Sequence, residues 1–196
     1  MKFFLQRGRR GWIIAGEKVH YVGGNLEAAW EEAFESYGLN KRRWNRVLLI
    51  GMGASLMQII ARQATPPMPF CTILEVSEEM ISLQQEHFSL PLMHEVIVGD
   101  AAQTLPQLRS SYDGIFVDAF VEEEVPESLL NLEFVERLRT LLSPEGLVFW
   151  NVLLPAQAQR IQQLLTAVFP AVRHRYSAPH TIWGSAHKAS AFPTPF

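Results

Sequence analysis

Four short apolar runs in this 196-residue chain end on residues able to do chemistry. VLLI (47–50) is followed by Gly51-Met52-Gly53-Ala54-Ser55, and TIL (72–74) by Glu75 and Val76. VIV (96–98) is followed by Gly99, Asp100 and Ala101, and IFV (115–117) by Asp118. Small residues after the first run let backbone approach a ligand closely. Glu75 stands 24 residues after Gly51 (75 − 51). That is the distance at which an acid can accept hydrogen bonds from both hydroxyls of a ribose. The fingerprint G-x-G-x-x-G fails at Leu56, no Gly-Lys-Ser/Thr stands near, and no G-x-S-x-G occurs. What remains is a nucleoside with little or no phosphate, held through ribose and base. Plainer roles stand beside each of these. Gly51 and Gly53 suit a tight turn, Glu75 a surface acid, Asp100 a helix N-cap, and Asp118 the starts of neighbouring helices.

The elements that must place these residues can be read from periodicity. The run 47–50 is too short for a helix and suits a strand buried on both faces. From there the pattern predicts strands over 71–74, 95–98, 114–117 and 147–152. Helices are predicted over 54–63, 78–87, 101–109, 132–142 and 156–168. The stretches 172–177 and 181–186 lie too close together for a helix between them and must pair antiparallel. The expected fold is α/β: a doubly wound, mostly parallel seven-stranded sheet with an antiparallel C-terminal hairpin. Ahead of it, 12–15 and 18–22 read as a short β-hairpin closed by Gly23-Gly24. A helix over 26–37 follows, capped by Asn25, with Leu26, Ala29, Trp30, Ala33, Phe34 and Tyr37 on one face. The division is then an N-terminal appendage (1–45), a core domain (46–188) and a tail (189–196) expected to fray. In such a sheet ligands bind beyond the carboxyl ends of the strands, where all four stretches fall.

Composition narrows the class. With 48% hydrophobic and 19% charged residues, extended disorder is excluded. The single cysteine, Cys71, excludes a disulfide framework and a Cys-rich zinc site, and points to the cytoplasm. The six histidines show no metal-ligand spacing, so no metal is expected. A net charge of −3 gives no general affinity for nucleic acid, and no stretch has the apolar length of a membrane span. The first residues hold too short an apolar run for a signal peptide. Lys41-Arg42-Arg43 is expected on a loop, and Glu122-Glu123-Glu124 either attracts a cation or forms a solvated face.

The segments VLLIGMGASL (47–56), TILEVSEEMISLQQEHF (72–88), VIVGDAAQTL (96–105), YDGIFVDAF (112–120) and LLSPEGLVFWNVL (141–153) carry a resemblance. They are similar to the class I S-adenosylmethionine-dependent transferase fold, Rossmann-like in form, and more narrowly to the spermidine synthases. Leu49, two residues before the first glycine, favours that branch, because most methyltransferases place an acid there. The resemblance implies that S-adenosylmethionine or its decarboxylated form binds, with Gly51, Gly53 and Ala54 under its methionine-like part. It places Glu75 and Val76 at the ribose, Asp100 and Ala101 at the adenine, and Asp118 as general base for a small-molecule acceptor, an amine. Phe120, Glu122, His180 and Trp183 become candidates for the acceptor side, and a homodimer is compatible with it. Three readings follow: aminopropyl transfer, methyl transfer to another acceptor, and nucleoside binding without turnover. The chain departs from the pattern at Ser55 and Ser77, and in the short Asp118-Ala119-Phe120, which lacks a second acid. The segment PHTIWGSAHK (179–188) only loosely resembles the family's Gly-x-Trp-Gly.

Overall fold

A computed structural model describes residues 2–9, 11–63, 65, 67–90, 93–188, 190 and 192. Strands β1 (Phe4–Arg7), β2 (Trp12–Ala15) and β3 (His20–Val22) form an antiparallel sheet. The expected hairpin is therefore three strands. The residues around Gly8 and Gly11 turn the chain so that Phe4 pairs with Ala15 and Arg7 with Trp12. Helix α1 (Gly24–Ser36) follows and buries Leu26, Ala29, Trp30, Ala33 and Phe34. Its N-cap is Gly23 rather than Asn25, whose side chain instead lies 2.8 Å from His20 Nδ1. Gly38, in the left-handed conformation at φ 64°, ends it as expected.

The main sheet contains β4 (Arg46–Ile50), β5 (Phe70–Glu75), β6 (His94–Val98), β7 (Tyr112–Val117), β8 (Leu142–Val152), β9 (Ala171–Ser177) and β10 (His180–Ala186). Its order is β6-β5-β4-β7-β8-β10-β9, parallel except where β10 runs against β8 and β9. Helices α2 (Ala54–Gln63), α3 (Glu78–His87), α4 (Ala101–Thr104), α5 (Leu132–Thr140) and α6 (Pro155–Val168) connect the strands. The helix expected over 101–109 stops at Thr104 and tightens into a 3₁₀ turn at Leu105–Gln107 that carries Pro106. Alternate strand residues feed two cores. Val47, Leu49, Cys71, Ile73, Phe116 and Phe149 face α1 and α2. Leu48, Ile50, Leu74, Ile115, Val117, Val148 and Trp150 face α5 and α6. Phe34, Phe116 and Phe149 stack through the first, with ring centroids 5.8 and 5.3 Å apart.

The first 45 residues share that core, since Ile14, Val22 and the buried face of α1 belong to the same cluster as Val47 and Phe149. Arg42 stands on the loop before β4, as expected, where it lies over Trp44 and donates to the Glu145 carbonyl at 2.6 Å. Of the tail, Phe192 is buried against Tyr37, while Ala189, Ala191 and residues 193–196 lie outside the described residues.

The chain winds outward from β4 through β5 to β6, then returns to β4's other edge with β7 and continues to β8. The loops after β4 and β7 therefore diverge, leaving a crevice at the carboxyl end of the sheet.

Candidate functional site

A cavity of about 290 Å³ opens at that crevice. Gly51, Glu75, Val76, Asp100, Ala101, Asp118 and Phe120 all line it. Gly53 and Ala54 belong to the same glycine loop but stand behind the lining. His180, Glu122 and Trp183 also do not line the cavity, each for a different reason given below.

The loop after β4 is tightly determined. Gly51 has φ 91°, and a Cβ there would fall 2.3 Å from the Asp118 carbonyl oxygen. No other residue type fits so close to the β7 backbone. Buried Gln84 of α3 braces the loop from beneath. Its Oε1 accepts from the Ala54 N–H at 2.8 Å, and its amide donates to the Met52 carbonyl. Ser55, at the place of a third glycine, accepts from the Gly23 N–H at 2.7 Å and ties the N-terminal segment to the loop.

Glu75 is 9% exposed, with both carboxylate oxygens engaged: Oε2 accepts from the Met52 N–H and Oε1 from the Ser77 N–H, each at 2.8 Å. A carboxylate offers about four lone-pair sites, so two remain for a pair of hydroxyls. Ser77 then caps α3 by accepting from the Met80 N–H at 3.1 Å. Asp100 caps α4, its Oδ1 accepting from the Ala102 N–H at 2.9 Å, while also lining the cavity. The cap leaves Asp100 on the cavity wall, so the cap does not exclude a ligand contact.

Asp118 is held by two donors from distant elements. Trp30 Nε1 donates to Oδ2 at 3.0 Å and Asn151 Nδ2 to Oδ1 at 2.9 Å. Burial pushes its carboxyl up to about 6, against the downward pull of those two hydrogen bonds. An acid poised there is ionised at neutral pH yet basic enough to accept a proton. His180, 2% exposed, lies beneath, with Nδ1 3.1 Å from Asn151 Nδ2.

The acidic run after Phe120 turns away. Glu122, at φ 53°, accepts from the Lys18 N–H at 3.2 Å through Oε2, and its own N–H donates to the Tyr21 hydroxyl at 2.8 Å. Glu123 pairs with Lys18 Nζ at 3.1 Å. These acids fasten the N-terminal sheet over the cavity, bringing Phe3 and Tyr21 into its wall. Trp183 packs in the core with its ring 4.8 Å from that of His174.

Sequence reasoning missed Gln84, Asn151, Trp30, Tyr21 and Phe3. Asn151 offered a signal, as a lone polar residue inside the apolar run FWNVL. Trp30 carried none, because its indole reads as one more apolar group on the buried face of α1. Among the described residues, no group of three or more His, Cys, Asp and Glu could hold a metal ion. No helix among them is long and apolar enough to cross a membrane.

Known proteins share parts of this sequence and this fold. Residues 71–150 match the family described as S-adenosyl-L-methionine-dependent methyltransferase. A probable polyamine aminopropyl transferase of Bifidobacterium longum (strain NCC 2705) is 29% identical over 108 residues, which are 55% of this chain and 24% of that protein. The match thus spans about a quarter of that relative's length. Among solved structures, a probable spermidine synthase from Corynebacterium glutamicum ATCC 13032 superposes with a TM-score of 0.77 at 18% identity, covering 95% of this chain and 77% of that one. A spermidine synthase in complex with the transition-state analogue AdoDATO gives 0.71 at 14% identity, over 97% and 76%. The fold is that of the class I S-adenosylmethionine-dependent methyltransferases. Spermidine synthases are among the solved structures that share this fold.

Proposed function

We propose that this chain is a transferase that binds an S-adenosylmethionine-type nucleoside in the β4–β7 crevice and passes an alkyl group to a small acceptor. The observation that carries the reading is Asp118, a half-buried and raised carboxyl on the wall of a cavity that also presents Glu75 and the Gly51 loop. The residues present suit such a nucleoside: a fixed carboxylate with two lone-pair sites left for the ribose hydroxyls, and the apolar Val76, Ala101 and Leu129 for a flat base. When bound, the nucleoside supplies a carbon made electrophilic by a positively charged sulfur, whose departure needs no acid.

The chain's own work is alignment and proton removal. Glu75 orients the sugar. The backbone from Gly51 to Ala54, braced by Gln84, sets the position of the methionine-like part. Asp118, held from two sides, takes the proton of an incoming ammonium or hydroxyl. Aminopropyl transfer from decarboxylated S-adenosylmethionine to an amine is the finer reading, supported by the name of the Bifidobacterium relative. Methyl transfer is the second, favoured by Glu122 and Glu123, which are committed to Lys18 rather than to a diamine.

The test is turnover with S-adenosylmethionine and, separately, with its decarboxylated form, against a panel of small amines and alcohols. One donor is expected to support product formation, with Asp118→Asn lowering kcat about 100-fold or more. Turnover unchanged in Asp118→Asn would remove the base. Nucleoside binding without turnover on any acceptor would leave a binding protein on an enzyme's fold.

A further inference from the structure

Asp118 is held by side chains from elements far from it in sequence, and one of them, Asn151, leans on a group that packing does not explain. Asn151 on β8 is fully buried and reaches Asp118 with Nδ2. Across the head of the same amide lies His180 of β10, its Nδ1 3.1 Å from Asn151 Nδ2 and 3.2 Å from Asn151 Oδ1. In either neutral tautomer Nδ1 makes one of these bonds, accepting from Nδ2–H or donating to Oδ1. His180 Nε2 is buried with no hydrogen-bond partner among the described residues. Burying an imidazole with one nitrogen unpaired costs stability that a phenylalanine in the same space would not. Packing therefore does not account for a histidine here.

We propose that His180 is a positioning residue for Asp118: through Nδ1 it ties down the Asn151 amide and keeps its N–H aimed at the carboxylate. The proposal rests on Asp118 as the proton acceptor. Without His180, the amide loses its lateral partner and can rotate. Turned over, it would set Oδ1 against the carboxylate and favour the protonated acid. The groups facing this pair are Asp118 just after β7, Trp30 from α1 and His20 at the start of β3, whose charge opposes protonation of His180.

The sequence has only three aspartates, Asp100, Asp113 and Asp118, which makes the test direct. In protein labelled with carboxyl ¹³C-aspartate, each titration can be followed separately, Asp118 being assigned from Asp118→Asn. His180→Phe and Asn151→Leu are both expected to raise the Asp118 midpoint by half a pH unit or more, about a threefold gain in proton affinity, with Asp100 and Asp113 unmoved. An Asp118 midpoint unchanged in His180→Phe would overturn the proposal. In the unmodified protein, the ¹⁵N shifts of the His180 ring should inflect at the Asp118 midpoint, and a flat response there would also overturn it. Neither readout needs nucleoside or turnover, so failure here is distinct from failure of Asp118 as base. Where turnover is measurable, His180→Phe should lower kcat and move its pH profile upward while leaving KM for the nucleoside unchanged.

Discussion

At the scale of single residues, Asp118 and His180 are titratable groups pushed in opposite directions by the same burial. Asp118 rises from 3.8 to about 6, and His180 falls from 6.5 to about 4. Between those limits the folded protein keeps a proton on Asp118 that the unfolded chain releases, so this contribution to stability falls as pH rises. His180 works the other way: the unfolded chain binds a proton there that the folded one refuses, so its contribution falls as pH falls. Across about pH 4 to 6 the two oppose each other. Asp118→Asn should unmask His180, and urea unfolding of that variant should lose about 2 kcal/mol more than wild type between pH 7 and pH 4.5. His180→Phe should shift the balance the other way, gaining stability relative to wild type as pH falls. Parallel curves for all three proteins would refute this opposition. Gly51 makes a simpler prediction. With φ 91° and the Asp118 carbonyl in the way of a Cβ, Gly51→Ala should cost about 3 kcal/mol in a denaturant titration.

At the scale of elements, the joints matter more than the helices and strands themselves. Helices over 54–63 and 78–87 stand where apolar spacing predicts them, and the strands differ from prediction mainly by added residues at their ends. Periodicity reports on burial, and these elements are buried by the fold they build. The joints were less legible because their partners are distant in sequence. Nothing local to Ser55 marks it as the acceptor for the Gly23 N–H, nor Gln84 as the brace of the glycine loop. The strand Phe4–Arg7 was missed for a related reason, since its residues are exposed and only pairing with β2 makes it a strand. Ser55→Ala should leave the Gly23 amide buried without a partner, at about 1–3 kcal/mol. Hydrogen exchange should show faster exchange concentrated in β3 and the start of α1. Exchange rising uniformly over the whole chain would mean that Ser55 supports the fold and not this joint.

For the whole molecule, the strand order decides what the sequence could only suggest. Reading the ends of four apolar runs placed Gly51, Glu75, Asp100 and Asp118 on one edge, and the order β6-β5-β4-β7-β8 brings them around one cavity. The remainder of the cavity was not legible to the same degree. Its wall includes Phe3 and Tyr21, held in place by a contact between Lys18 and Glu123 that spans 105 positions. The central claim is that this crevice holds an S-adenosylmethionine-type nucleoside, and its most direct test is a crystal structure grown with methylthioadenosine. The account predicts the ribose hydroxyls on Glu75, the base between Val76 and Ala101 beside Asp100, and the sulfur facing Asp118. A nucleoside bound elsewhere, or none bound from millimolar solution, would contradict it.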